Sequence, residues 1–301
     1  MTNLPKQFVL QLGSLITLYV SVAAFITLIF STINIALPDA AAGSYEWTSS
    51  QTAMRTCLAI LVVFFPTYLF LTRKVNVARR TGDGGYAGMF TKWLVYLSLL
   101  VGGGAMLIDL VFVVNTFLEG EMTLRFLLKA LSLLVVVGLV SYYYLLDAKG
   151  YWQSREAESM MYGAVATAVV IGMMAASLYH LESPSVAREK RIDDQQIVAL
   201  QEMQYRVEAH MNTKEALPAS IDELYLSELV PQAPEGRAQY QYKITGVTTY
   251  ELCADFAHAT NPNEMSTMYY PGDINYNWDH KAGEWCFTRE AAKPLQPSIK
   301  E

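Results

Sequence analysis

Met160-Met161-Tyr162-Gly163-Ala164-Val165-Ala166-Thr167-Ala168-Val169-Val170-Ile171-Gly172-Met173-Met174-Ala175-Ala176-Ser177-Leu178-Tyr179 carries no charge and is long enough to cross a bilayer as a helix. His180-Leu181-Glu182-Ser183-Pro184 follows at once, and then Arg188, Glu189, Lys190 and Arg191. A membrane span therefore ends here and a water-soluble region begins. Four further apolar stretches precede it, at about 8–36, 54–72, 93–117 and 123–146. Together they predict a five-span helical membrane bundle followed by a small soluble α+β domain. The predicted divisions are 1–150 for a four-helix bundle, 151–182 for a fifth transmembrane helix and 183–301 for the soluble domain.

Composition agrees. Apolar residues make up 52% of the chain and charged residues 17%, too few charges for a soluble protein of 301 residues. Residues 1–179 hold 11 Lys/Arg against 9 Asp/Glu, whereas residues 180–301 hold 11 against 19. The overall charge of −6 thus belongs to the tail. An acidic tail argues against binding nucleic acid or anionic headgroups through that region.

Lys and Arg in the short loops set orientation. Lys6, Arg73, Lys74, Arg79, Arg80, Lys92, Lys149 and Arg155 share one side, against Arg55 and Arg125 on the other. Counting Arg188, Lys190 and Arg191 narrows the margin without reversing it. The N-terminus is expected in the cytoplasm and the tail outside, which in a bacterium means the inner membrane and the periplasm. A cleavage site near Ala40-Ala41-Ala42-Gly43 is conceivable, but the preceding apolar run far exceeds a signal-peptide core.

The cysteines fit this orientation. Cys57 falls inside the second span and reads as a packing residue, while Cys253 and Cys286 both lie in the tail. A Cys253–Cys286 disulfide suits an oxidising compartment and stabilises by ~3–4 kcal/mol on the chain-entropy estimate. Two separate buried thiols are the alternative. No further Cys or His stands at metal-ligand spacing, so no metal and no cofactor are expected.

No histidine lies in the apolar core of a span, which removes haem ligation by His pairs and His-based proton relays. Asp109 and Lys129 do enter the apolar region, with Arg125 at its rim. Measured from the intervening loop, Asp109 lies ~12 Å deep and Lys129 ~9 Å. The expectation is an intramembrane Asp109–Lys129 ion pair, as a structural clamp or, less favoured, as an ion or proton step. Gly102-Gly103-Gly104 is the candidate helix break. In the fifth span Ala164, Ala168, Gly172 and Ala176 recur every fourth residue, a small-residue face expected to pack within the bundle, with dimerisation as the alternative.

In the tail, Ser183-Pro184 breaks the fifth helix, and Ile197, Leu200, Val207 and Met211 predict an amphipathic helix over about 186–212. Ser220 is placed to cap a short helix containing Ile221 and Leu224. Strands are expected at 240–244 and 250–256, and a second hairpin from 276–278 and 284–287. His258 and His280 read as solvated turn residues. The aromatic residues read as the core of a small sheet, with a binding face as the alternative.

Several segments carry a resemblance. Ile16-Thr17-Leu18-Tyr19-Val20-Ser21, Phe65-Pro66, Lys92-Trp93-Leu94 with Tyr96-Leu97, Asp109-Leu110, and Gly120-Glu121-Met122-Thr123-Leu124-Arg125-Phe126 with Lys129 resemble an uncharacterised bacterial family. It consists of four-helix inner-membrane proteins known only as a domain of unknown function, and the match spans about 8–150. The tail is similar to the periplasmic part of type II secretion pseudopilins, through a helix, Leu217-Pro218-Ala219-Ser220-Ile221-Asp222-Glu223-Leu224 and Tyr250-Glu251-Leu252-Cys253. A pseudopilin has its processed start before one span; here Arg155-Glu156-Ala157-Glu158-Ser159-Met160 stands there, after four helices. Only the domain shape is implied. The leading expectation is a non-enzymatic membrane protein whose outer domain binds an envelope protein as an assembly or scaffold subunit. The alternative is a small-solute or ion transporter using Asp109 and Lys129.

Reporter fusions test the layout. A fusion at Gly84 is expected to read cytoplasmic and one after Glu301 to read outside; cytoplasmic activity at both positions would refute five crossings.

Overall fold

Glycines and hydroxyl residues decide how closely the apolar helices approach. The computed structural model describes residues 4–38, 45–80, 87–120, 123–225, 229–260 and 275–291. Ala40 to Gly43, Gly84 and Glu121-Met122 lie outside them. The helices are α1 (Leu4–Ala36), α2 (Tyr45–Arg80), α3 (Ala87–Glu119), α4 (Leu124–Ala148), α5 (Tyr151–Ser154), α6 (Glu156–His180) and α7 (Pro184–Lys214). Five contain stretches long and apolar enough to span a membrane: Phe8–Ala36, Glu46–Ala78, Val95–Glu119, Leu124–Ala148 and Glu156–His180. The chain forms two compact units, one from α1–α6 through Leu181 and one from Glu182 onward. The fifth span belongs with the first four.

α1 packs against α3, α4 and α6. Three of its buried hydroxyls return to its own carbonyls: Thr17 to Gly13 at 2.8 Å, Ser21 to Thr17 at 2.7 Å and Thr32 to Leu28 at 2.8 Å. Thr32 and Ser177 also share a 2.9 Å hydrogen bond that ties α1 to α6, and Ser14 and Thr72 share one of 2.7 Å that ties α1 to α2. Leu28, Met54 and Leu61 are fully buried between these helices, with Cys57 beside them as a free thiol.

α3 and α4 form a close antiparallel pair. A Cβ at Gly102 would collide with the Ser141 side chain, and one at Gly138 would lie 3.1 Å from the Met106 methyl. The Gly102-Gly103-Gly104 run therefore breaks nothing: α3 continues through it to Glu119. Gly102 is a contact surface. α4 closes on Gly150, whose φ of 72° is the left-handed conformation that a helix stop favours. Trp152 of α5 is buried below, donating to the Tyr143 carbonyl at 3.0 Å and stacking on its ring.

In the second unit, Ser183-Pro184 starts a helix as well as ending one. Ser183 caps α7 by accepting from the Val186 N–H at 3.3 Å, with Pro184 in the first turn. Leu200, Met203, Val207 and Met211 then form one face against Tyr250, Leu252, Phe256, Trp278 and Phe287 of the sheet region. The sheet is antiparallel in the order β1 (Gln241–Ile244), β2 (Thr249–Phe256), β3 (Gly283–Glu290). Ile221–Leu224 is a 3-10 turn that Ser220 precedes without a side-chain cap. Glu223 accepts from the Ala219 N–H at 3.0 Å, and this bond holds its carboxyl below the ordinary range.

The expected second hairpin is not formed, since residues 276–278 are not a strand. The Asn275 side chain takes the strand's place beside β3, donating to the Glu290 carbonyl at 3.0 Å and accepting from its N–H at 2.9 Å. Arg289 binds the Asn277 carbonyl at 2.7 Å and lies over Trp278. A side-chain amide and a buried guanidinium do the work assigned to a strand.

Cys253 and Cys286 face each other across β2 and β3 and are joined by a disulfide. Alkylation of unfolded, unreduced protein is expected to label Cys57 alone, with the other two labelled only after reduction. The C253S/C286S pair should destabilise the C-terminal unit by ~3–4 kcal/mol in proteolysis-monitored urea unfolding. Ready labelling of Cys253 without reduction would overturn the pairing.

Candidate functional site

Asp109 and Lys129 do not pair. Among the described residues neither side chain makes an ion pair, and the α3–α4 register explains why. Gly102 faces Ser141 and Met106 faces Gly138, which puts Asp109 opposite residues 134–135 and Lys129 opposite 114–115. The two side chains therefore differ by about five residues along the axis, or ~8 Å. α3 runs to Glu119, beyond the expected end at 117, and so carries Asp109 farther from the loop.

Arg125 makes the clamp instead. It is buried at the start of α4 and donates from Nε to the Asn34 amide oxygen on α1 at 3.1 Å. Its Nη2 pairs with the Glu46 carboxylate in the first turn of α2. Asn34 in turn donates to Ser50 at 3.1 Å. Three helix ends separated by 79 and 91 positions thus meet at one guanidinium. Arg suits this role because its fork holds two acceptors at once.

The small-residue face of α6 also departs from expectation. Ala164, Ala168, Gly172 and Ala176 are exposed, while Val170 and Ser177 face the bundle. The Ser177–Thr32 hydrogen bond sets that rotation, and Ala176 lies ~100° round the helix from Ser177. A Cβ at Gly163 or Gly172 would meet no atom within 4 Å.

A concave feature lies beside this face. A cleft of about 850 Å³ runs between α1, α2, α4 and α6. Phe25, Leu61, Phe65, Val136, Val170 and Met173 form its apolar wall. Val135, Leu139, Val165 and Val169 border it and are about half exposed, so it opens sideways from the bundle. Arg73, Asn76, Tyr68, Tyr143 and Glu156 stand toward one end. Its size falls within the ~300–1,000 Å³ of small-molecule sites. Arg73 entered the sequence reading only as an orientation signal; its place after an apolar span, three residues before Asn76, was the available clue.

The C-terminal unit holds its own buried polar groups. Asp193 of α7 accepts from the Ala257 and His258 N–H groups at 3.0 Å each, and from Arg237 at 3.3 Å. Gln196 donates to the Asp255 carbonyl at 2.9 Å, fastening the same end of β2. Arg289 binds Gln204 at 2.9 Å. These residues were missed, although Asp193 lies seven before Leu200 on the core-facing side of α7. His280 is not a solvated turn residue: its ring stacks on Phe256 at 3.7 Å, and burial lowers its pKa. Burial likewise pushes the Tyr242 phenol up to about 12. The Glu251 carboxylate lies within 4.8 Å of Cys253 and Cys286, but sulfurs bonded to each other offer a metal no thiolate.

Fold and site define a multi-pass helical membrane protein with one small α+β unit. Residues 7–144 match the family described as Domain of unknown function (DUF5671). The match covers most of the first four helices and leaves α6 and the C-terminal unit outside. No curated protein and no solved structure matches the chain.

The clamp predicts that Arg125→Gln destabilises the bundle by about 2–4 kcal/mol, because Glu46 and Asn34 lose a partly buried partner. The Arg125→Gln/Glu46→Gln double variant should lose less than the two single losses added together. Lys129→Gln should cost little. Thermal unfolding in detergent reads all three, and additive losses would remove the clamp.

Proposed function

We propose that this is a non-enzymatic protein of a bacterial inner membrane whose C-terminal unit binds a protein partner outside the cytoplasm, as a scaffold or assembly subunit. One observation carries the reading. α7 meets its core requirement with Leu200, Met203, Val207 and Met211, yet leaves Val198 and Tyr205 well exposed, seven positions apart and so on one face. Exposed apolar and aromatic groups at helical spacing, on a unit carrying a large net negative charge, suit a partner with an apolar patch rimmed by Lys and Arg.

Orientation in this proposal rests on the Lys/Arg excess on the N-terminal side, and an outside location agrees with the Cys253–Cys286 disulfide. The pseudopilin resemblance contributes shape only: a long helix laid on a small antiparallel sheet. Transport through Asp109 and Lys129 gains no support from side chains that do not meet.

A photo-crosslinking residue in place of Val198 or Tyr205 tests the surface in intact cells. Discrete adducts of one mass are expected from both positions, and none from the exposed Ser220. Absent adducts, or the same diffuse pattern from all three sites, would refute this surface.

A further inference from the structure

We propose that the cleft between α1, α2, α4 and α6 holds one acyl chain of an anionic phospholipid whose phosphate is bound by Arg73. This stands apart from the partner-binding reading and needs neither orientation nor an outer partner.

The first argument is packing. Protein interiors are filled to crystal-like density, and an empty space of about 850 Å³ would forfeit the dispersion contacts of its whole lining. This space lies among apolar spans and opens sideways past the half-exposed Val165 and Val169. The medium at that opening is hydrocarbon, so the filler is an acyl chain.

The second argument is length. Along α2 the lining runs from Leu61 to Arg73, twelve residues or ~18 Å at the helical rise. One leaflet supplies ~15 Å of hydrocarbon, half of a ~30 Å core. A chain whose headgroup sits at Arg73 therefore fills most of that length within its own leaflet.

The third argument is charge. Among the described residues Arg73 has neither an ion pair nor a hydrogen bond, and Asn76 stands three positions farther along α2. A guanidinium offers a phosphate two parallel N–H donors, and Asn76 can add another. Lys74, Arg79 and Arg80 follow on the same helix, a basic run that favours anionic over zwitterionic headgroups.

The test uses the full chain in nanodiscs of equal phosphatidylglycerol, phosphatidylethanolamine and phosphatidylcholine. After mild delipidation, native mass spectrometry should find one phospholipid per chain, with phosphatidylglycerol enriched about fivefold. Arg73→Gln should keep a lipid but lose the enrichment, and Arg73→Lys should retain part of it. Gly163→Leu/Gly172→Leu places side chains in open space on α6 without loss of helix propensity, and circular dichroism should confirm an intact fold. This variant should retain at least about threefold less lipid. Lipid retention equal in the filled variant, or enrichment unchanged in Arg73→Gln, would overturn the proposal. So would phosphatidylethanolamine as the preferred lipid, or a lipid-free dimer in which a second copy fills the cleft.

Discussion

Hydrocarbon rewards helix association only through close contact and a few polar links, and this constraint governs the bundle. Burying a leucine between helices gains little when the alternative surrounding is also apolar. What counts is how near the backbones approach and which polar groups meet. α3 and α4 approach at Gly102 and Gly138. α1 meets α6 through Thr32 and Ser177, and Arg125 gathers α1, α2 and α4 at one end. Thr17, Ser21 and Thr32 of α1 donate to carbonyls of their own helix, so burying these three leaves no open donor.

The C-terminal unit is held by the opposite physics. In water the apolar face of α7 is driven onto β2 and β3, and this covers the apolar face of the three-stranded sheet. Asp193 and Arg289 then fix which end of the helix meets which strand. Each is buried and each is satisfied by groups distant in sequence. Removing one would leave backbone N–H groups or a guanidinium stranded, which costs more than an ordinary surface contact.

Much of this was legible in the sequence, because the features concerned are local. Span length and polarity mark all five crossings, and the period of Ile197, Leu200, Val207 and Met211 marks α7. Alternation marks β1 and β2, and the position of Cys286 places it beside Cys253. What was not legible depends on rotation and register. Nothing local to Arg125 indicates Glu46, 79 positions away, as its partner rather than Asp109. The Ala164–Ala176 face has the right spacing for packing, but the hydroxyl of Ser177 turns α6 the other way. Asn275 imitates a strand with its side chain, and no alternation pattern reports that.

The cleft follows from the same rule that holds the bundle together. Helices approach closely where small residues meet, and α2 carries no such row on its inner side. There it presents Leu58, Leu61 and Phe65, with Tyr68 and Leu69 farther along. Side chains of that size hold backbones apart. α6 adds to the separation by turning its glycines toward the opening, where they fill nothing. Pro66 lies in the same stretch of α2, on its exposed side, and leaves the helix one N–H short there. The gap is thus built from large residues on one helix facing small ones on another. In a watery setting such a gap would collapse, because closing it removes apolar surface from water. In a bilayer that incentive is missing, and a lipid chain fills the space at little cost.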